Sequence, residues 1–122
     1  MKKISLVVLI LLVGFACYAE GLNKDAQQLK NEAPDIYEVV KQRAIDEWNG
    51  DHTMILYIIN EQCKAMYSCA ELVNDHELIV KTQLVEWCEG DIFKYESAYF
   101  APIDWTMVLY CSKEQIKAQA GY

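Results

Sequence analysis

The chain reads as an all-α protein, a small disulfide-stapled helical bundle of about five helices built from two helix-turn-helix repeats after a cleaved signal peptide. Three observations lead there. Residues 51–65, D-H-T-M-I-L-Y-I-I-N-E-Q-C-K-A, return 53 positions later as residues 104–118, D-W-T-M-V-L-Y-C-S-K-E-Q-I-K-A, with nine of fifteen positions identical and no gap. A phrase repeated at a fixed period is usually one structural unit copied. Apolar residues elsewhere recur at steps of three and four, the helical period, and four cysteines remain once an apolar leader is set aside.

The leader is the first element. Lys2 and Lys3 precede an apolar run from Ile4 to Phe15, and small residues follow at Ala16-Cys17-Tyr18-Ala19, the three-part layout of a secretory signal. The run is shorter than the roughly 20 apolar residues of a bilayer span, so the expected division is a signal peptide at 1–19 and no membrane span after cleavage. Residues 20–33 follow as a polar segment whose only large apolar residues are Leu22 and Leu29, expected as a frayed helix or tail. A single helical domain then occupies 34–122, with internal repeats at 38–66 and 91–119.

Within that domain Pro34 and Asp35 suit the first turn of a helix, proline for its fixed φ and the acid for the helix dipole. Ile36, Val39, Val40 and Ala44 continue it toward Trp48, until Asn49-Gly50-Asp51 breaks it. Asp51 or Thr53 can cap the next helix, which carries the first copy from about 52 to 72. Asn74-Asp75 punctuates, and a further helical run reaches Trp87-Cys88. Glu89-Gly90-Asp91 is a second break, 92–100 a short amphipathic piece, and Pro102 a stop before the last helix at about 105–118. The short apolar run Met107 to Cys111 would also suit a strand; the continuation of the same phrase in the first copy through Gln62-Cys63-Lys64-Ala65 favours helix.

The shared positions Thr53, Met54, Tyr57, Glu61, Lys64 and Ala65 fall within about a third of a helix circumference. They predict twin stripes that bury the same contact in a pseudo-twofold arrangement, with Ala65 and Ala118 allowing close approach and Met54, Met107, Tyr57 and Tyr110 filling the gap. The phrase of tryptophan, aspartate, methionine, tyrosine and glutamine at helical spacing from Trp48 to Gln62 resembles segments of small exported bacterial and phage proteins, which adds a bacterial setting to the leader and implies nothing about mechanism.

Cys63, Cys69, Cys88 and Cys111 are expected as two disulfides in an oxidising compartment. If the helices on either side of Asn74 form an antiparallel hairpin, Cys63 faces Cys88 and Cys69 is left to Cys111. A Cys63–Cys69 bridge is disfavoured, because residues six apart on one helix diverge. No Cys-x-x-Cys pair exists, and the adjacent side chains of Asp51-His52 and Asp75-His76 diverge, so no metal and no cofactor is expected.

Removing residues 1–19 takes away Lys2 and Lys3 and no acid, so the net charge of −7 becomes −9. Strong acidity argues against nucleic acid and anionic membranes as partners and suits a basic protein. Nucleophile motifs, phosphate-binding glycine loops and metalloprotease motifs are absent, and no pair among Glu47, Asp51, Asp75, Glu77, Asp91 and Asp104 is spaced as a catalytic couple, so no enzyme is expected. These features point to a small exported, non-enzymatic helical binding protein, an inhibitor or immunity protein against a basic cell-wall enzyme or toxin. Candidate contact residues are Tyr57 with Glu61, Tyr110 with Glu114, and the aromatics Tyr95, Tyr99, Phe100 and Trp105. A self-associating scaffold of the cell envelope, homodimeric through the repeated stripe, is the alternative.

Overall fold

The computed structural model describes residues 21–122; the expected signal peptide, residues 1–19, lies outside the described residues. The protein is helical, with four α-helices and no strand among the described residues: α1 (Lys24–Glu32), α2 (Pro34–Glu47), α3 (His52–Glu86) and α4 (Trp105–Ala120). Two single 3-10 turns, Ile92–Lys94 and Ala98–Phe100, lie in the connection between α3 and α4.

The helix limits follow from local chemistry. Asn23 caps α1 by accepting from the Ala26 N–H, Asp51 caps α3 through the Met54 N–H, and Asp104 caps α4 through the Met107 N–H. Pro34 occupies the first turn of α2, and the breaks at Gly50 and Gly90 use positive φ angles of 87° and 84° that a side chain would resist. The 20–33 segment is more ordered than a tail: Leu22, Ala26 and Leu29 are buried, at steps of four and three that give α1 one apolar stripe. Ala26 supplies the middle of that stripe, so its small size hid the pattern.

Residues 62 and 87 would stand about 37 Å apart along a straight helix rising 1.5 Å per residue. Asp104 nevertheless joins them: its N–H donates to the Trp87 carbonyl at 3.1 Å, and its Oδ1 accepts from Gln62 Nε2 at 2.9 Å. The chain of α3 therefore doubles back, and the reversal sits at one residue, His76, whose φ of −137° and ψ of 47° are non-helical. The expected hairpin exists, turned at His76 rather than by a loop at Asn74. An isolated antiparallel bridge between Cys88 and Ile103, with Glu89 N–H donating to Pro102 O at 2.9 Å, closes the base of the connection to α4.

Helix α3 is the spine: α1, α2 and α4 all pack against it, α4 most extensively. The core takes Leu22, Ala26 and Leu29 from the first segment, Tyr37, Val40 and Ala44 from α2, Ile59, Cys63, Met66 and Cys69 from α3, and Trp105 and Val108 from α4. The two alanines at full burial, Ala26 and Ala44, let the outer helices approach closely.

Two expectations are corrected here. The disulfides are not formed: Cys63, Cys69, Cys88 and Cys111 are free thiols in this structure. Equal distance from a turn sets the height of a residue along a hairpin and leaves its direction open. Cys63 feels Asp25 of α1, the Cys69 thiol points at the Trp105 carbonyl at 3.9 Å, and the Cys88 thiol points at its neighbour's carbonyl, Glu89 O, at 3.7 Å. Burial pushes the Cys63 and Cys69 thiols up to about 12, so both remain protonated and act as small apolar core residues. The repeated stripes also fail to bury one another. Tyr57 and Tyr110 are 56% and 61% exposed, Thr53 and Lys64 are exposed, and Ala65 is buried while Ala118 is not. Helix α4 has one substantial neighbour and lies at the edge, so its buried face is the narrower set Trp105, Val108 and Ser112, and almost everything after Ser112 faces solvent.

What holds these helices to the spine are two amide side chains, two residues apart on α3. Asn60 Oδ1 accepts the Asn23 N–H at 2.8 Å, and its Nδ2 donates to Gly21 O at 2.8 Å, fixing the start of α1. Gln62 Oε1 accepts the Trp105 N–H at 2.6 Å and its Nε2 donates to Asp104, fixing the start of α4. Gln62 is 5% exposed, so both groups it serves lose water with it. Replacing Gln62 with Leu is expected to destabilise the fold by about 2–3 kcal/mol, because the buried Trp105 N–H loses its acceptor and the partly buried Asp104 loses one of its donors. Gln115→Leu, at the exposed counterpart in the second copy, should change stability by less than about 0.5 kcal/mol. Urea unfolding of the two variants measures the difference.

Candidate binding site

The polar face of α2 and the 89–102 connection enclose an open groove of about 630 Å³. Val39, Gln42, Arg43, Asp46 and Glu47 line it from α2, spaced by three, four, seven and eight residues so that all fall on one side of the helix. Glu89, Tyr95, Phe100 and Pro102 line it from the connection.

The connection is built so that these side chains face outward. Asp91 caps the first 3-10 turn through the Phe93 N–H at 2.9 Å, and Ser97 caps the second through the Tyr99 N–H at 3.3 Å. Tyr99 then stacks on the ring of Trp105, centroids 5.6 Å apart and planes within 15°. That stack pins the connection to the core, where Trp105 is 3% exposed. Phe100, the next residue, is turned into the groove with 36% of its surface open, and Tyr95 with 39%.

Three carboxylates and one guanidinium line the groove. The Arg43 side chain, only 16% exposed, places Nε 3.1 Å from Glu89 Oε1 and Nη2 4.0 Å from Asp104 Oδ2. Its charge is thus spent on neighbours, and Asp46 and Glu47 remain as net negative charge beside two aromatic rings. Asp46 also accepts from Gln42 Nε2 at 2.9 Å, which orients its carboxylate. Such a site attracts a cationic side chain, which can lie over an aromatic face while its head meets a carboxylate.

Of the residues expected from sequence, the groove gathers Phe100 and Tyr95. Trp105 and Tyr99 form the internal stack. Tyr57 and Glu61 sit on α3 and Tyr110 and Glu114 on α4; none of the four lines this groove, and Glu114 pairs with Lys117 at 3.7 Å on the surface. Arg43, Asp46, Glu47 and Glu89 are lining residues that the sequence does not mark as a binding site. The helical spacing of 39, 42, 43, 46 and 47 was readable, but the connection that faces them comes some fifty residues later. Among the described residues no three side chains of His, Cys, Asp or Glu gather as a metal site, and no helix is long and apolar enough to cross a membrane.

Asp104 links the groove to the helix packing. Burial raises its carboxyl, but hydrogen bonds from Gln62, Thr106 and the Met107 N–H, with the Arg43 charge, outweigh this and hold it below the ordinary value of 3.8. A depressed carboxylate contributes stability that is present above its unfolded value and is lost as pH falls through the folded one. Stability should therefore drop below about pH 4. Asp104→Asn should be less stable at neutral pH and show a shallower acid loss, measured by urea unfolding between about pH 5 and about pH 2.

No protein-family model, curated protein or solved structure is significantly similar to the chain.

Proposed function

We propose that this chain is a small exported, non-enzymatic binding protein that covers a basic surface of a partner protein, serving as an inhibitor or immunity protein against a cell-wall enzyme or toxin. The observation that carries this reading is the groove between α2 and the 89–102 connection, where the exposed faces of Phe100 and Tyr95 stand beside Asp46, Glu47 and Glu89. A lysine or arginine finger entering it finds a ring to cover its stem and a carboxylate for its charge. The net charge of −7, or −9 without the leader, speeds the encounter with a basic partner. Export rests on the leader at 1–19, and the periplasm is the compartment that best fits a partner acting on the cell wall.

The two repeats, 38–66 and 91–119, are read as a duplicated helix-turn-helix. Their capping supports this, since Asp51 and Asp104 each serve the N–H of a methionine three residues on. After duplication the copies took different surroundings, the first in the spine and the second at the edge. A second reading, self-association, draws on the equivalent exposed tyrosines Tyr57 and Tyr110, which could meet across a twofold axis.

Titration calorimetry with a panel of basic cell-wall hydrolases tests the proposal. Binding is expected for at least one, and it should weaken strongly between about 0.1 M and about 1 M salt, as the screening length falls from about 10 Å to about 3 Å. Phe100→Ala and Glu47→Lys should each weaken it about tenfold or more. Binding indifferent to molar salt or to both substitutions would count against this site. A stable dimer by sedimentation, lost in Tyr57→Glu, would favour self-association.

A further inference from the structure

The acidic groove already holds one guanidinium from its own wall, and that contact shows what a second would find. Arg43 is 16% exposed, with Nε 3.1 Å from Glu89 Oε1, so its planar head meets a carboxylate by its edge while most of it is out of water. A weakly hydrated guanidinium accepts such a place more readily than an ammonium does. Two other lining carboxylates, Asp46 and Glu47, meet no cationic side chain among the described residues. They stand in the last turn of α2, which carries no basic residue, so the negative end of the helix dipole adds to their charge instead of being offset. Through Tyr37, Lys41 and Ile45 the opposite side of α2 borders a second, mostly apolar groove without a lining carboxylate, so the cation-seeking side of this helix is the one beside Arg43.

The two rings opposite these carboxylates are set in place by closed turns. Tyr95 N–H donates to Ile92 O at 3.2 Å and Phe100 N–H to Ser97 O at 3.0 Å, and the Tyr99–Trp105 stack anchors the segment that carries them. Little ordering is therefore left to be lost when a ligand arrives. Lysine and arginine use such a groove differently. An ammonium is a strongly hydrated point charge, and where the groove is open to solvent its pairing with exposed carboxylates is weak. A guanidinium is flat, so one face can cover a ring while an edge reaches a carboxylate.

We propose that the acidic groove selects arginine over lysine: the partner enters it with an arginine side chain, whose guanidinium lies against Tyr95 and Phe100 and meets Asp46 and Glu47. This rests on the groove's place in the proposed function and adds which side chain the groove reads.

Titration of the isotope-labelled protein with acetyl-Arg-Arg-amide, and with acetyl-Lys-Lys-amide at equal charge, tests this by the amide shifts that each peptide causes. Saturable shifts centred on Glu47, Tyr95 and Phe100 are expected, with the arginine peptide at least about threefold tighter. Phe100→Leu and Tyr95→Leu keep apolar bulk and remove a ring; the double variant, and either single one if the double variant loses helical circular dichroism, should bring the two peptides closer in affinity. Glu47→Gln should weaken both peptides about twofold or more, while Leu78→Ala, exposed on α3 outside the groove, should weaken neither. Equal affinity of the two peptides in the unaltered protein, an arginine preference that survives removal of the rings, shifts indifferent to Glu47→Gln, or binding of neither peptide would each overturn the proposal. The hydrolase titration above decides separately whether the wider reading falls with it, since it needs a basic surface of either residue type.

Discussion

The packing of this protein depends on two carboxamides that project from one helix. Helix starts leave backbone N–H groups without partners inside the helix, and a helix start brought against a packed interior must find partners for them elsewhere. Asn60 and Gln62 supply such partners from α3, each with one oxygen that accepts an N–H and one nitrogen that donates one or two residues earlier, to Gly21 O and Asp104 Oδ1 respectively. A carboxamide is suited to this because it is donor and acceptor at once and carries no charge that burial would penalise. The first tie sets where α1 begins, the second where α4 begins. Since Asp104 also receives the hairpin's far end through Trp87, the second tie locks the reversal of α3 as well. The Tyr99–Trp105 stack, and with it the connection that faces α2, inherits its position from the same place.

Helix α2 gains its functional interest from lying between two unlike surfaces. Its core face is Tyr37, Val40 and Ala44, and to either side of that stripe are residues that reach different grooves. Arg43 shows why one side stays acidic: its guanidinium is drawn inward toward Glu89 and Asp104, so it binds the connection to the helix instead of offering charge to solvent. On the other side Lys41 meets Glu38 at 3.7 Å and Lys30 lies over the Tyr37 ring.

The helix limits were legible because they depend on single residues with strong local preferences: Pro34, Gly50, Gly90, and the capping Asp51 and Asp104. The hairpin was legible in outline, although one non-helical residue at His76 does what a loop at Asn74-Asp75 was expected to do. The repeated phrase led astray on packing. Its identity is real, but burial is decided by neighbours, and α3 is covered on several sides whereas α4 is covered on one. Tyr57 and Tyr110 consequently face solvent, and a core made of Ile59, Cys63, Met66, Val108 and Trp105 draws mainly on positions the two copies do not share. The roles of Asn60 and Gln62 were invisible, since a buried carboxamide is recognised only by what it reaches, and its partners are 37 to 43 residues away. The acidic groove is half legible: of the four aromatics expected as contacts, Tyr95 and Phe100 line it, while Tyr99 and Trp105 stack inward and hold the connection in place.

Amide hydrogen exchange at Trp105 and Asn23 tests the central role of the two carboxamides most directly. Amides at helix starts ordinarily exchange through small local openings. If Asn60 and Gln62 fasten these starts to the spine, both amides should exchange only with unfolding of the whole domain, with protection equal to that of buried α3 amides such as Met66. Exchange of either as fast as that of Phe93, whose amide lies in the exposed connection, would contradict the account.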